Sequence, residues 1–124
     1  MVEIQVQEPY RRMFLLVPKR EIEYKDDLAV TNKVISLNNS GGLDAVFLNG
    51  HLNHPLLRRY CTNKKIPLYQ PNSLDTMTAG ILDGKYIQHN RMAAVCNPLS
   101  QSQIDQCART LSKYGVLTET VGLF

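Results

Sequence analysis

Apolar residues first alternate with polar ones along this chain and then form continuous runs. The alternation over residues 2–6 predicts a half-exposed strand, and the unbroken apolar run at 13–17 predicts a more central one. Residues 9–12 would join the two as a hairpin. Further continuous runs at 45–48 and 92–96 predict strands that are covered on both faces of a sheet.

Three segments have the apolar spacing of helices. The first runs from about Lys25 to Leu37 and has Asp26 and Asp27 in its first turn, although its β-branched residues also suit a strand. The second begins near Pro55, with Asn53 as its predicted N-cap. The third begins at Ser100, which forms a capping box with Gln103.

The rest of the chain predicts strands and turns. Residues 66–69 and 116–124 have the character of strands, and residues 71–77 have the composition of a loop. The Asp83-Gly84 pair predicts a tight hairpin over residues 80–88. We therefore expect an α/β fold (α+β is the alternative), with about three helices packed on a mixed β-sheet.

Length, charge and cysteine content narrow the class of protein. A chain of 124 residues fits a single globular domain, residues 1–124, and its formal charge of +3 is too weak for a dedicated duplex-DNA binder. Three cysteines, an odd number, argue against a disulfide scaffold. The sequence has neither a signal-peptide pattern nor an apolar run of membrane-spanning length, so we expect a cytoplasmic protein without membrane contact.

The polar residues that look most like a site follow the strand at 45–48. The loop Gly50–Pro55 joins this strand to a helix N-terminus, where free amides and the helix dipole favour an anion. Nearby and more distant arginines would bind phosphate or carboxylate groups, and a tyrosine would stack on a base. The predicted ligand-binding residues are Gly50, His51, Asn53, His54, Arg58, Arg59, Asn90, Arg91 and Arg109.

Catalytic and metal chemistry have weaker support. His51 and His54 are spaced like metal ligands, but a third ligand is missing from their surroundings, so we expect no metal and no cofactor. Cys96 precedes a capped helix, a setting that can activate a thiol, and His89 would have to approach it across the sheet. Phosphate-loop and dinucleotide fingerprints are absent from the sequence.

The sequence therefore favours a non-catalytic binding protein for an anionic, nucleotide-like small molecule. A small hydrolase or lyase that uses His51, His54 or Cys96 is the first alternative. A nucleic-acid-binding or protein-interaction module that uses the basic face of residues 58–65 is the second. We also expect a homodimer, because a domain of this size gains by sharing a site or an edge strand.

Overall fold

The computed structural model describes residues 11–123 and contains one five-stranded sheet with five helices around it. The strands are β1 (Arg11–Val17), β2 (Ala45–Leu48), β3 (Leu68–Tyr69), β4 (Arg91–Val95) and β5 (Val116–Gly122). The helices are α1 (Glu21–Tyr24), α2 (Asp27–Asn39), α3 (Pro55–Asn63), α4 (Leu74–Leu82) and α5 (Gln101–Ser112).

All five strands are parallel, in the order β3-β2-β4-β1-β5. Helices α1, α2 and α3 pack on one face of the sheet, which we call the first layer, and α4 and α5 pack on the other, the second layer. The α/β prediction is confirmed. The predicted mixed sheet is wrong for the described residues, because every pairing among them is parallel.

Helices with strong terminal signals form as predicted. Asp26 caps α2 by accepting the Ala29 N–H at 3.1 Å, and α5 begins with the predicted capping box of Ser100 and Gln103. The apolar stripe of α5 then packs on the second-layer face of the sheet through Cys107 and Leu111. No helix within residues 11–123 has the length and hydropathy that a bilayer-spanning helix requires.

The region from residue 71 to 88 is the main correction to the predicted fold. Residues 74–82 form helix α4 in place of a loop and the first arm of a hairpin. Ser73 accepts the Thr76 N–H at 3.1 Å and starts the helix, and Met77 and Ile81 are buried against the sheet. Gly84, with φ +83°, follows the helix C-cap, so the Asp83-Gly84 pair ends a helix and does not reverse a strand.

Strand β1 lies inside the sheet, with β4 on one side and β5 on the other. Both of its edges are therefore occupied by described strands. The predicted strand at residues 2–6, and the hairpin that would join it to β1, lie outside the described residues. The strand predicted at 66–69 is shorter than expected, because only Leu68 and Tyr69 pair with β2.

Candidate functional site

The carboxyl ends of the strands define the edge of the sheet where α/β proteins bind ligands. Strand β4 lies between β2 and β1. Its loop leads to α5 in the second layer, whereas the loops of β2 and β1 lead to the first layer. Loops that diverge in this way open a crevice over the end of the middle strand, so the end of β4 is the structural candidate for a site.

Two buried polar side chains lie at the base of this crevice. Asn49, which follows β2, is 2% exposed, and its Nδ2 lies 3.5 Å from Cys96 Sγ and 3.9 Å from Met77 Sδ. Asn49 Oδ1 has no hydrogen-bond partner among the described residues. Burial raises the pKa of Cys96 to about 12, although the contact with Asn49 lowers it slightly. Cys96 therefore keeps its proton at neutral pH and is not an activated nucleophile.

Tyr24 and His54 close the first-layer side of the crevice. The Tyr24 hydroxyl donates to the backbone oxygen of Asn49. His54 Nε2 lies 3.1 Å from the Tyr24 backbone oxygen, and because a carbonyl only accepts, Nε2 carries the proton of this bond. His54 is thus a buried structural contact between α3 and α1, whereas the neighbouring His51 is exposed.

The sequence predicts that the amides at the N-terminus of α3 bind an external anion. In the structure these amides bind a carboxylate of the protein itself. Asp27, the first residue of α2, accepts the Leu56 N–H at 2.8 Å and the Leu57 N–H at 3.2 Å. The predicted cap Asn53 is wrong, since His54 is the N-cap residue and its side chain makes no capping bond. The negative charge that the dipole of α3 favours is therefore already in place.

In two other loops a carboxylate of the chain also accepts hydrogen bonds from backbone amides. Glu23 accepts the Lys19 N–H at 2.9 Å and Arg20 Nε at 3.3 Å after β1, and the bond from the Lys19 amide is the main cause that lowers the pKa of Glu23. Asp44 Oδ2 accepts the amides of Asn90 and Arg91 at 2.8 and 3.0 Å. In each case a carboxylate of the chain takes loop amides that would otherwise be open to a ligand.

The predicted site residues do not converge. Gly50, His51, Asn53 and His54 follow the carboxyl end of β2, whereas Asn90 and Arg91 lie at the amino end of β4. Because the strands are parallel, these groups are separated by about 15 Å, the length of a short strand.

The predicted arginines have separate roles. The Arg91 guanidinium donates to the backbone oxygens of Leu37 and Gly42 and to Ser40 Oγ, so it ties a loop to the sheet. Arg58 Nη2 donates to Gln70 Oε1 at 3.0 Å, and Gln70 in turn donates to the backbone oxygen of Leu52. Arg59 on α3 and Arg109 on α5 are exposed in opposite layers.

The pairing of His89 with Cys96 is also absent. His89 precedes β4 and Cys96 follows it, which places them about 20 Å apart. His89 Nε2 lies 2.8 Å from the Tyr69 hydroxyl, and burial lowers the pKa of His89. This histidine belongs to an aromatic cluster of Tyr69, Tyr86 and Phe47.

Sequence reasoning missed a groove between α4 and α5. It has a volume of about 540 Å³, and the lining residues include the start of α4 and the loop that follows β4. Four lining side chains make no side-chain hydrogen bond among the described residues: Asp75, Asn97, Gln106 and Thr110. The missed signal is the Ser73 cap followed by apolar residues at 74, 77 and 81, a helical spacing.

No protein-family model matches the chain, and no curated protein shows significant sequence similarity to it. Its function is therefore inferred from the arrangement of its own residues.

Proposed function

We propose that this chain is a non-catalytic binding protein for an anionic, nucleotide-like small molecule that binds at the carboxyl edge of the sheet, over the end of β4. The observation that carries the proposal is the open groove of about 540 Å³ between α4 and α5. This volume falls within the range of small-molecule sites, and one end of the groove, at the start of α4 and at Asn97, lies at the carboxyl edge of the sheet, where α/β proteins bind ligands.

The polar groups of the groove suit the uncharged part of such a ligand. Asn97 and Gln106 each offer a carboxamide with donors and an acceptor, which can pair with the edge of a base. The Asp75 carboxylate is an acceptor for hydroxyl groups such as a ribose diol. None of these side chains has to break a hydrogen bond with another described residue before it binds.

The anionic part of the ligand requires cations, and because no lysine or arginine among the described residues lines the groove, we assign this role to the loop that follows β1. Lys19 and Arg20 follow β1, the strand next to β4, and both are exposed. Arg20 also pairs with Glu23 at 3.3 Å. In this proposal Lys19 and Arg20, in place of the amides of Gly50–Pro55, bind the anionic group, because Asp27 occupies the amides at the start of α3.

A thermal-shift screen of the full chain against nucleosides, mononucleotides and dinucleotides tests the proposal. A ligand at about 100 times its dissociation constant adds about 2.7 kcal/mol of stability, which is several degrees in a domain of this size. We expect the shift to disappear in the double variant Asn97→Ala/Gln106→Ala. Both residues are exposed, so their loss should leave the fold intact.

The variants Lys19→Ala/Arg20→Ala and Arg58→Ala/Arg59→Ala locate the charged end. The first should remove the advantage of a nucleotide over its nucleoside, and the second is the control on α3. A shift that is lost only in the α3 variant would place the ligand on the basic face of α3 and contradict a site over β4. The absence of a shift with every compound would overturn the proposal.

A further inference from the structure

Strand β5 has one open edge. It pairs with β1 over seven residues, Val116–Gly122, and among the described residues no strand lies on its other side. The open edge carries neither proline nor lysine, two residues with which proteins commonly block such edges. Alternate backbone groups of β5 thus point outward as a template for another strand.

The surface beside this edge combines apolar groups with charges of opposite sign. A cavity of about 420 Å³ runs along β5, and its lining includes Arg12, Phe14, Leu117 and Glu119. The register of β1 and β5 pairs Arg12 with Leu117 and Phe14 with Glu119, so all four side chains lie on one face of the sheet. Leu117 is 41% exposed there.

We propose that β5 is the contact with a second copy of this chain. The two β5 strands pair antiparallel around a twofold axis at Thr118 and join two five-stranded sheets into one of ten strands. In this register Leu117 lies opposite Glu119 of the second copy, and Glu119 lies opposite Leu117 of the second copy. The same patch on both copies forms the contact, as a twofold interface requires.

Charge complementarity selects this register. The Cα of Arg12 lies two strand spacings, about 10 Å, from that of Glu119 in the second copy, a gap that the two extended side chains can bridge across Leu117. Symmetry makes two such ion pairs. An axis at Glu119 would instead place two carboxylates directly opposite each other, which destabilises an antiparallel pair.

Sedimentation equilibrium of the full chain over a concentration series tests this interface. The expected species has twice the 14.1 kDa mass of one chain. Arg12→Glu and Glu119→Arg should each weaken the dimer about tenfold or more, since each replaces two attractions by two repulsions. The double variant Arg12→Glu/Glu119→Arg should restore the dimer, while Arg59→Glu, an equal charge reversal on exposed α3, should leave it unchanged.

The competing occupant of this edge is the chain's own segment 2–6, for which the sequence predicts a strand. Ile4→Lys separates the two cases. A full chain that is monomeric at every concentration, with or without this substitution, would overturn the proposal. So would a monomer that dimerises only as Ile4→Lys, or a double charge reversal that fails to restore the dimer.

Discussion

Replacement of Asp27 tests whether an internal carboxylate stabilises the N-terminus of α3. The residue begins α2, yet its two carboxylate oxygens accept the first amides of α3, Leu56 N–H and Leu57 N–H. Thr31 Oγ1 also donates to Oδ1 at 3.2 Å. Asp27→Ala would remove the acceptor from all three donors and the charge from the positive end of the α3 dipole.

The expected cost is about 2 kcal/mol. Loss of a helix cap costs typically about 1 kcal/mol, and hydrogen bonds to a charged group contribute about 1.5–3 kcal/mol. Asp27 is half-buried, which favours the middle of that range. With an unfolding entropy of about 2.1 cal/mol/K per residue, the melting temperature of the 124-residue chain should fall by about 8 °C.

Asp105→Ala is the matched control. Asp105 is exposed on α5 and accepts a single bond, from Gln101 Nε2 at 2.9 Å within the same helix. Such a pair contributes about 0.2–0.5 kcal/mol, so this variant should melt within about 2 °C of the parent. Calorimetry of the two variants side by side would refute the reasoning if Asp27→Ala lost no more than Asp105→Ala.

Sulfate adds a second measurement to the same pair of variants. Once the Asp27 carboxylate is gone, the α3 amides are open and should accept an external anion. Sulfate should therefore raise the melting temperature of Asp27→Ala more than that of Asp105→Ala, which experiences the same general salt effect. Equal sulfate responses would show that the α3 amides do not act as an anion site even when they are vacant.

Three further substitutions test other contacts. Gly50→Ala should lower the free energy of unfolding by about 2 kcal/mol or more, because Gly50 has φ +92° and a Cβ there would lie 2.6 Å from the Tyr24 hydroxyl. In calorimetry, Tyr24→Phe should recover part of this loss, and additive effects of the two substitutions would contradict the clash. Arg91→Lys should lower the free energy of unfolding by about 2 kcal/mol in urea denaturation, since an ammonium cannot span the three acceptors of the guanidinium. The control Arg109→Lys, on the exposed face of α5, should leave the free energy of unfolding unchanged. The raised pKa of Cys96 predicts that the contribution of this thiol to the free energy of unfolding is level below about pH 8.5 and falls as the pH rises toward 12, because only the unfolded thiol loses its proton there. The slope of the free energy of unfolding in this alkaline range should be smaller in Cys96→Ala, and an unchanged slope would contradict this origin.

Elements whose signals are local in sequence were predictable. Helix α5 carries its cap, its capping box and its apolar stripe within 13 residues, 100–112, and helix α2 follows an aspartate cap. Continuous apolar runs identified β2 and β4 as strands buried on both faces. In α5 the capping residues and the apolar stripe favour the same structure, whereas in α2 the aspartates of the first turn outweigh β-branched residues that also suit a strand.

Helix α4 is not predicted from the sequence, because the turn signal of Asp83-Gly84 conflicts with the helical spacing of the residues before it. Asp83-Gly84 is common both in hairpins and at the ends of helices, and only the preceding residues distinguish the two. Met77 and Ile81 have the spacing of a buried helix face, while Gly80 lowers helix propensity. Tertiary packing decides between them, since a Cβ at position 80 would lie 2.9 Å from the ring of Tyr86.

The candidate site was less predictable than the fold because its geometry depends on distant pairings. Asp27 is 29 residues from Leu56, and nothing near Gly50–Pro55 indicates that a carboxylate from α2 will reach that loop. Likewise, the sequence order of Asn90 and Arg91 says nothing about which end of the sheet they occupy. The order and the parallel direction of the strands decide both. The groove of α4 and α5 escapes prediction because the start of α4 has the composition of a loop.

The internal carboxylates also constrain the proposed binding of an anion. Asp27, Glu23 and Asp44 each accept at least two hydrogen bonds, of which at least one comes from a backbone amide, and many α/β proteins use such amides to cradle phosphate. These amides are already hydrogen-bonded, so the proposed binding of an anion relies on side-chain cations such as Lys19, which are exposed and therefore screened by salt. In this proposal, selectivity comes from the uncharged groups of the groove. Binding that weakens with salt, while the preference among bases stays constant, is the behaviour that this division of roles requires.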